Sequence, residues 1–119
     1  MTLINFAKEW IEAWNTQDLD RILSLYSDQV IFTSPKALAR LPHTEGTVRG
    51  IEELRQYWAP VADLRPDLHF SLERVLETVN GCTILYHDEN GLLVAETMLF
   101  DRLGKVCQGI VSHAIPKTS

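Results

Sequence analysis

Three turn signals punctuate the C-terminal half of the chain and leave it few ways to fold. Asn80-Gly81 and Asn90-Gly91 each sit between apolar, strand-like runs, and Asp101-Arg102-Leu103-Gly104 follows a third run. Asn-Gly marks a tight hairpin, because both central residues of a type I′ turn need φ > 0. Together the turns predict four antiparallel strands between about Leu68 and Ile115.

Alternation assigns the side chains to faces. With a two-residue turn at each Asn-Gly pair, Val79 opposes Cys82, Leu76 opposes Leu85 and Arg74 opposes His87. On the next hairpin Leu85 opposes Glu96, His87 opposes Val94 and Thr83 opposes Met98. Directly opposed residues share a face. The expected inner face carries Phe70, Leu72, Arg74, Leu76, Thr83, Leu85, His87, Val94, Glu96, Met98 and Phe100. The expected outer face carries Ser71, Glu73, Val75, Glu77, Ile84, Tyr86, Leu93, Ala95, Thr97 and Leu99. A closed four-residue loop at 101–104 pairs Phe100 with Lys105 and turns Cys107, Gly109, Val111 and His113 inward. A three-residue loop with a glycine bulge turns Gln108, Ile110 and Ser112 inward instead.

The N-terminal half is helical by period. Leu3, Phe6, Ala7, Trp10, Ile11 and Trp14 recur at helical spacing. Thr16 or Asp18 can cap a second helix with Leu19, Ile22, Leu23 and Tyr26 on its apolar face. Val30 to Ser34 reads as a short strand ended by Pro35, which cannot donate to a ladder. The stretch from Lys36 to Arg49 has no clear period and reads as a long loop. A third helix starts after Gly50, with Ile51, Leu54, Trp58 and Val61 on one face and Tyr57 beside them; Pro60 and Pro66 close that region.

At 119 residues the chain suffices for one domain with its own core. A net charge of −5 argues against a nucleic-acid partner, which calls for a basic footprint. No run is long enough to span a membrane, and no secretion signal opens the chain, so a cytoplasmic protein is expected. Cys82 and Cys107 have neither CxxC nor metal-type spacing and read as free thiols. Four scattered histidines do not suggest a metal site.

The order of elements and the local wording resemble the SnoaL-like members of the nuclear transport factor 2-like superfamily. The wording is Ala13-Trp14-Asn15-Thr16-Gln17-Asp18-Leu19-Asp20, Leu25-Tyr26-Ser27-Asp28, Val30 to Pro35, Val48-Arg49-Gly50-Ile51-Glu52-Glu53-Leu54, and Phe100 to Val106. The resemblance covers nearly the whole chain. It implies an α+β cone: a curved antiparallel sheet wrapped on three N-terminal helices, with a pocket at the open end and dimers formed through the sheet's outer face. It is specific for fold and weak for function, since the superfamily hosts isomerases, cyclases, dehydratases, epoxide hydrolases and non-catalytic binders. The ketosteroid isomerase pattern has a Tyr on the first helix, an Asp before the Pro of the first strand and a protonated Asp on a meander strand. The corresponding positions here are Trp10, Ser34 and Glu96. Only Glu96 keeps its chemical type, so ketosteroid isomerisation is not expected.

Glu96 is the leading candidate acid or base, because apolar neighbours on its face would desolvate the carboxyl and raise its pKa. His113 is its candidate assistant; the expected register places the two several residues apart. Trp10, Trp14, Phe32, Ser34, Tyr57, Trp58, Leu85, His87, Met98 and Val111 are the expected lining of a substrate pocket, and His43 a candidate lid residue. The bland alternatives are a structural carboxylate paired with Arg74, and aromatic groups that are simply core. The expectation is a cofactor-free isomerase, cyclase or dehydratase acting on a small apolar oxygenated molecule. The competing one is a non-catalytic binding or association module. The apolar outer face, with Val75, Ile84, Tyr86, Leu93, Ala95 and Leu99, predicts a homodimer.

Overall fold

The computed structural model describes residues 2–117, the side chains of residues 62–64 excepted. Its elements run α1 (Leu3–Asn15), α2 (Leu19–Leu23), β1 (Tyr26–Thr33), α3 (Pro35–Arg40), β2 (Thr47–Arg49), α4 (Ile51–Leu64), β3 (Ser71–Thr78), β4 (Gly81–His87), β5 (Leu93–Phe100) and β6 (Val106–His113). One six-stranded sheet has the order β2-β1-β6-β5-β4-β3. The expected antiparallel meander is present as β3 to β6. Two strands extend it, and β1 runs parallel to β6, so the sheet is not antiparallel throughout. The architecture is α+β, with helices packed on the inner face.

α1 starts where the Thr2 hydroxyl accepts the Asn5 amide at 3.1 Å. Its apolar stripe buries Phe6, Ala7, Trp10, Ala13 and Trp14. Asp18 caps α2 in the same way, but this helix ends at Leu23. Tyr26, expected on its face, instead opens β1 opposite Val106. Ser34 and Pro35 end β1 and also begin α3: the Ser34 hydroxyl accepts the Lys36 amide at 3.2 Å, and proline takes the first turn. The segment expected as loop therefore holds a helix and the edge strand β2. α4 runs past Pro60, which sits on its exposed side; only the bond to the Gln56 carbonyl is lost there.

The hairpin registers differ from those expected, because a single residue in each turn takes the left-handed conformation. Asn80 has φ 61°, and Thr78 opposes Gly81. In the next loop only Gly91 is left-handed, at φ 80°. Asp88 organises it: its Oδ1 accepts the amides of Asn90 and Leu92, both at 2.9 Å. Asp101 repeats this wiring on Leu103 and Lys105, with Gly104 at φ 78°. Each is a five-residue Asp-x-x-Gly-x loop rather than a two- or four-residue turn.

The new register turns β4 over. Cys82, Ile84 and Tyr86 face inward and are buried, whereas Thr83, Leu85 and His87 face outward. On β3 a bulge after Leu72 keeps Leu72 and Val75 inside and puts Arg74 and Leu76 outside. β5 keeps its expected face, with Val94, Glu96 and Met98 buried. On β6, Gly109, Val111 and His113 face inward as expected, but opposite Met98, Glu96 and Val94. The five-residue loop makes Phe100 oppose Val106 rather than Lys105, and a bulge at Cys107 then pairs Leu99 with Gln108.

Candidate functional site

Between α1, α3, α4 and the far ends of β4 to β6 lies a cavity of about 170 Å³. Its walls are aromatic. Trp58 meets Trp14 edge-on at 5.0 Å and Phe32 at 5.1 Å, and Phe70 lies 4.4 Å from Tyr86. Alternation on the strands supplies Phe32, Tyr86, Val94, Glu96 and Val111, while helical spacing supplies Trp14, Tyr57 and Trp58.

Glu96 lies in this wall, 6% exposed. Its Oε1 accepts the Tyr86 hydroxyl at 3.2 Å, and its Oε2 has no protein partner among the described residues. Burial pushes its pKa up to about 8, although the Tyr86 bond and the charge of Lys36 act the other way. The carboxyl is therefore held toward its protonated form near neutral pH. The indole N–H of Trp14, in the same wall, is also buried and unpaired. Most buried polar groups find partners, and these two, both on residues of the cavity wall, have none among the described residues.

His113 also lines the cavity. It stands opposite Val94, one position along from the pairing of Val111 with Glu96 on the same face. Such diagonal positions are about 7–8 Å apart, closer than the sequence suggests. Burial and Lys36 lower its pKa, against the pull of Asp88, so the ring favours its neutral form. The apolar Val61 and Leu68 also line the cavity, as do Lys36, Arg40, Arg65 and Asp88. No expectation from sequence included these last four, because α3 is too short to show a period and the 88–92 loop is recognised only by its Asp-x-x-Gly spacing.

Of the expected lining, Trp14, Phe32, Ser34, Tyr57, Trp58 and Val111 surround the cavity, as do Glu96 and His113. Four residues do not. Trp10 is wholly buried behind the wall, its indole N–H donating to the Tyr26 hydroxyl at 3.0 Å. Met98 is also wholly buried and takes the Tyr26 hydroxyl on its sulfur at 3.8 Å. Leu85 and His87 lie on the outer face of the inverted β4. Arg74 is outside too and forms no pair with Glu96. His43 borders a separate, more open groove of about 630 Å³ between α3, β2 and α4. That groove is larger, but its charged side chains Arg40 and Glu53 and its His43 are exposed, so it holds no buried carboxyl like that of Glu96. Among the described residues no cluster of His, Cys, Asp or Glu could hold a metal, and no helix is long and apolar enough to cross a membrane.

A SnoaL-like domain model matches residues 7–99. The chain belongs to the SnoaL-like family. A SnoaL-like protein of unknown function from Burkholderia thailandensis is 34% identical, with a TM-score of 0.91 over 95% of this chain and 94% of that one. A nuclear transport factor 2-like protein of unknown function from Cytophaga hutchinsonii is 16% identical, with a TM-score of 0.70 over 96% of this chain and 91% of its own. A proposed ketosteroid isomerase from Kribbella flavida is 14% identical, with a TM-score of 0.70 over 95% of this chain and 78% of its own. The last two are likenesses of fold. A search of curated proteins finds no sequence match. This SnoaL-like chain thus has the nuclear transport factor 2-like fold, and its cone holds a pocket.

Proposed function

We propose that this SnoaL-like protein is an enzyme of the isomerase, cyclase or dehydratase type, with Glu96 as its general acid. The observation that carries the proposal is the buried, unpaired Oε2 of Glu96 in the cavity wall. A neutral carboxyl there donates its proton to a carbonyl or hydroxyl oxygen of a small apolar substrate as negative charge develops on it. The Trp14 indole and the Ser34 hydroxyl are further donors in the lining. The neutral imidazole of His113 accepts the proton lost from the neighbouring carbon, and the two groups then exchange protons to reset. Side-chain proton transfer is sufficient, and no cofactor is invoked. The three corresponding isomerase positions, Trp10, Ser34 and Glu96, carry only one carboxylate, so the substrate is not a steroid enone.

The test is α-deuteration of a panel of benzene-sized cyclic ketones in D2O, followed by proton NMR. General acid–base groups contribute roughly 10²–10⁴-fold, so Glu96→Gln should cut the enzyme-dependent rate by about 100-fold or more. Exchange no faster than in buffer for every ketone, or undiminished in Glu96→Gln, would overturn the assignment. The unpaired Trp14 and Glu96 groups also suit a non-catalytic binder. In that case a ligand would co-purify, and native mass spectrometry would detect it, without any exchange activity.

We also infer that the protein acts as a homodimer in the cytoplasm. Leu76, Leu85, Leu93, Ala95, Leu99 and Ile110 form an outer sheet face that no helix covers among the described residues, and both cysteines are free thiols suited to a reducing compartment.

A further inference from the structure

The chain is acidic overall, with a net charge of −5, yet three cations line its cavity: Lys36, Arg40 and Arg65. Two of them are already engaged. The Arg40 guanidinium lies 4.3 Å over the Tyr57 ring and donates to the Tyr57 carbonyl at 3.3 Å. Arg65 is ion-paired with Glu89. Lys36 forms no ion pair and no side-chain hydrogen bond among the described residues. Asp88, the second carboxyl group of the lining, accepts two backbone amides of its own loop on Oδ1.

We propose that the cavity mouth is a carboxylate-binding subsite centred on Lys36, and that the ligand is a ring-sized apolar body carrying one negative charge. The proposal rests on the reading of Glu96 as the acid and names the class of its substrate. Size follows from the volume. A cavity of about 170 Å³ matches the roughly 150 Å³ space known to hold benzene. Charge follows from the count at the mouth. Three cations stand against the carboxylates of Asp88 and Glu89, which leaves an excess of one and favours a monoanion over a phosphate dianion. The strain among the cations supports the same conclusion: partial burial and the charges of Arg65 and Arg40 hold the Lys36 ammonium below its usual pKa, which an arriving anion relieves. Glu96, mostly protonated at neutral pH, does not repel such a ligand.

The test uses benzoate and its uncharged isostere benzamide, titrated at neutral pH into ¹⁵N-labelled protein while the three tryptophan indole N–H signals are followed. Benzoate should bind about three- to tenfold more tightly than benzamide, as a charge-assisted contact at an exposed lysine allows. Lys36→Met should abolish that preference with little change for benzamide, and Lys36→Arg should keep it. An unchanged backbone spectrum shows that each variant is folded. Equal binding of the two compounds, a preference that survives Lys36→Met, or no indole shift with either compound overturns the proposal. Glu96→Gln separates the two readings: it should retain the benzoate preference while losing α-deuteration. Retained deuteration in that variant counts against Glu96 and leaves the anion subsite standing.

Discussion

Tyr86 donates its hydroxyl to Oε1 of Glu96 across 3.2 Å, from the neighbouring strand. The bond depends on both residues facing inward, which they do only because the 88–92 loop has five residues. It leaves Oε2 as the free end of the carboxyl, and it opposes the effect of burial on the pKa. Glu96 is thereby held and oriented without being fully ionised.

Removing that bond should move the titration further. Among the influences on Glu96, the Tyr86 bond is the larger of the two that favour the carboxylate. Tyr86→Phe should therefore raise its pKa above about 8. Carboxyl carbon NMR of selectively labelled glutamate reads this directly, and a downward shift would contradict the picture.

Stability should depend on pH in a direction set by the same group. The folded pKa of Glu96 is about 8, against 4.5 as the ordinary value. Between these values the folded state holds a proton that the unfolded chain has released, so stability is greatest below 4.5 from this group alone and falls as pH rises toward 8. The slope approaches about 1.4 kcal/mol per pH unit at most. Urea unfolding of wild type and Glu96→Gln between pH 5 and 8 should show this loss in the wild type only; parallel curves would refute it.

Gly81 is fixed by contact rather than by its φ angle. A Cβ there would run into the Met98 carbonyl and come within 3.0 Å of the Leu99 Cα. Backbone of a central strand cannot give way cheaply, so Gly81→Ala should cost about 2 kcal/mol or more. Gly91→Ala meets nothing within 4 Å but keeps a φ of 80°, so it should cost less, about 1 kcal/mol. Denaturant midpoints would rank the two, and the opposite ranking would count against this account.

Asp88 links the fold to the site. Its Oδ1 closes the loop, and its charge holds the His113 pKa up. Asp88→Ala should destabilise by about 1–2 kcal/mol and move His113 to a lower pKa. Asp101→Ala, with the same loop wiring but outside the cavity lining, should match the first effect without the second. Imidazole proton shifts against pH would show the difference.

The outer face offers a separate check. Ile110, 41% exposed, stands between Thr97 and Thr33 in the middle of the sheet. If two copies meet there, Ile110→Asp should turn a dimer into a monomer in analytical ultracentrifugation while leaving the cavity unchanged. A wild-type monomer at micromolar concentration would exclude the dimer.

The periodicities carried much of this protein. α1, the core of α4 and the four meander strands follow from local patterns of apolar residues, as does the inward face of β5 with Glu96. So do six of the lining residues, because Trp14, Tyr57 and Trp58 sit on or beside a helical stripe, Phe32 and Ser34 end a recognisable strand, and Val111 alternates inward on β6. The inverted face of β4 has one cause. In a strand the side-chain period is two, so a turn misjudged by one residue moves every side chain of the next strand to the other face. Reading Asn90-Gly91 as a two-residue turn put Leu85 and His87 inside and Tyr86 outside. The Asp-x-x-Gly spacing at 88–91 and 101–104 was present in the sequence and would have given the longer loops.

The chain by itself determined α1, the core of α4 and the four meander strands, and that an acid on β5 would face the core, since these rest on contacts between residues close in sequence; α3 and β2 were not legible in it. Only the tertiary structure decided what surrounds that acid. Tyr86, His113 and Lys36 reach the cavity from a strand, a strand and a short helix, through a loop length, a bulge and a cap. The Asn-Gly pairs announced two hairpins, but left-handed Asn80 set the register of the first, and the side-chain hydrogen bonds of Asp88 with left-handed Gly91 set that of the second.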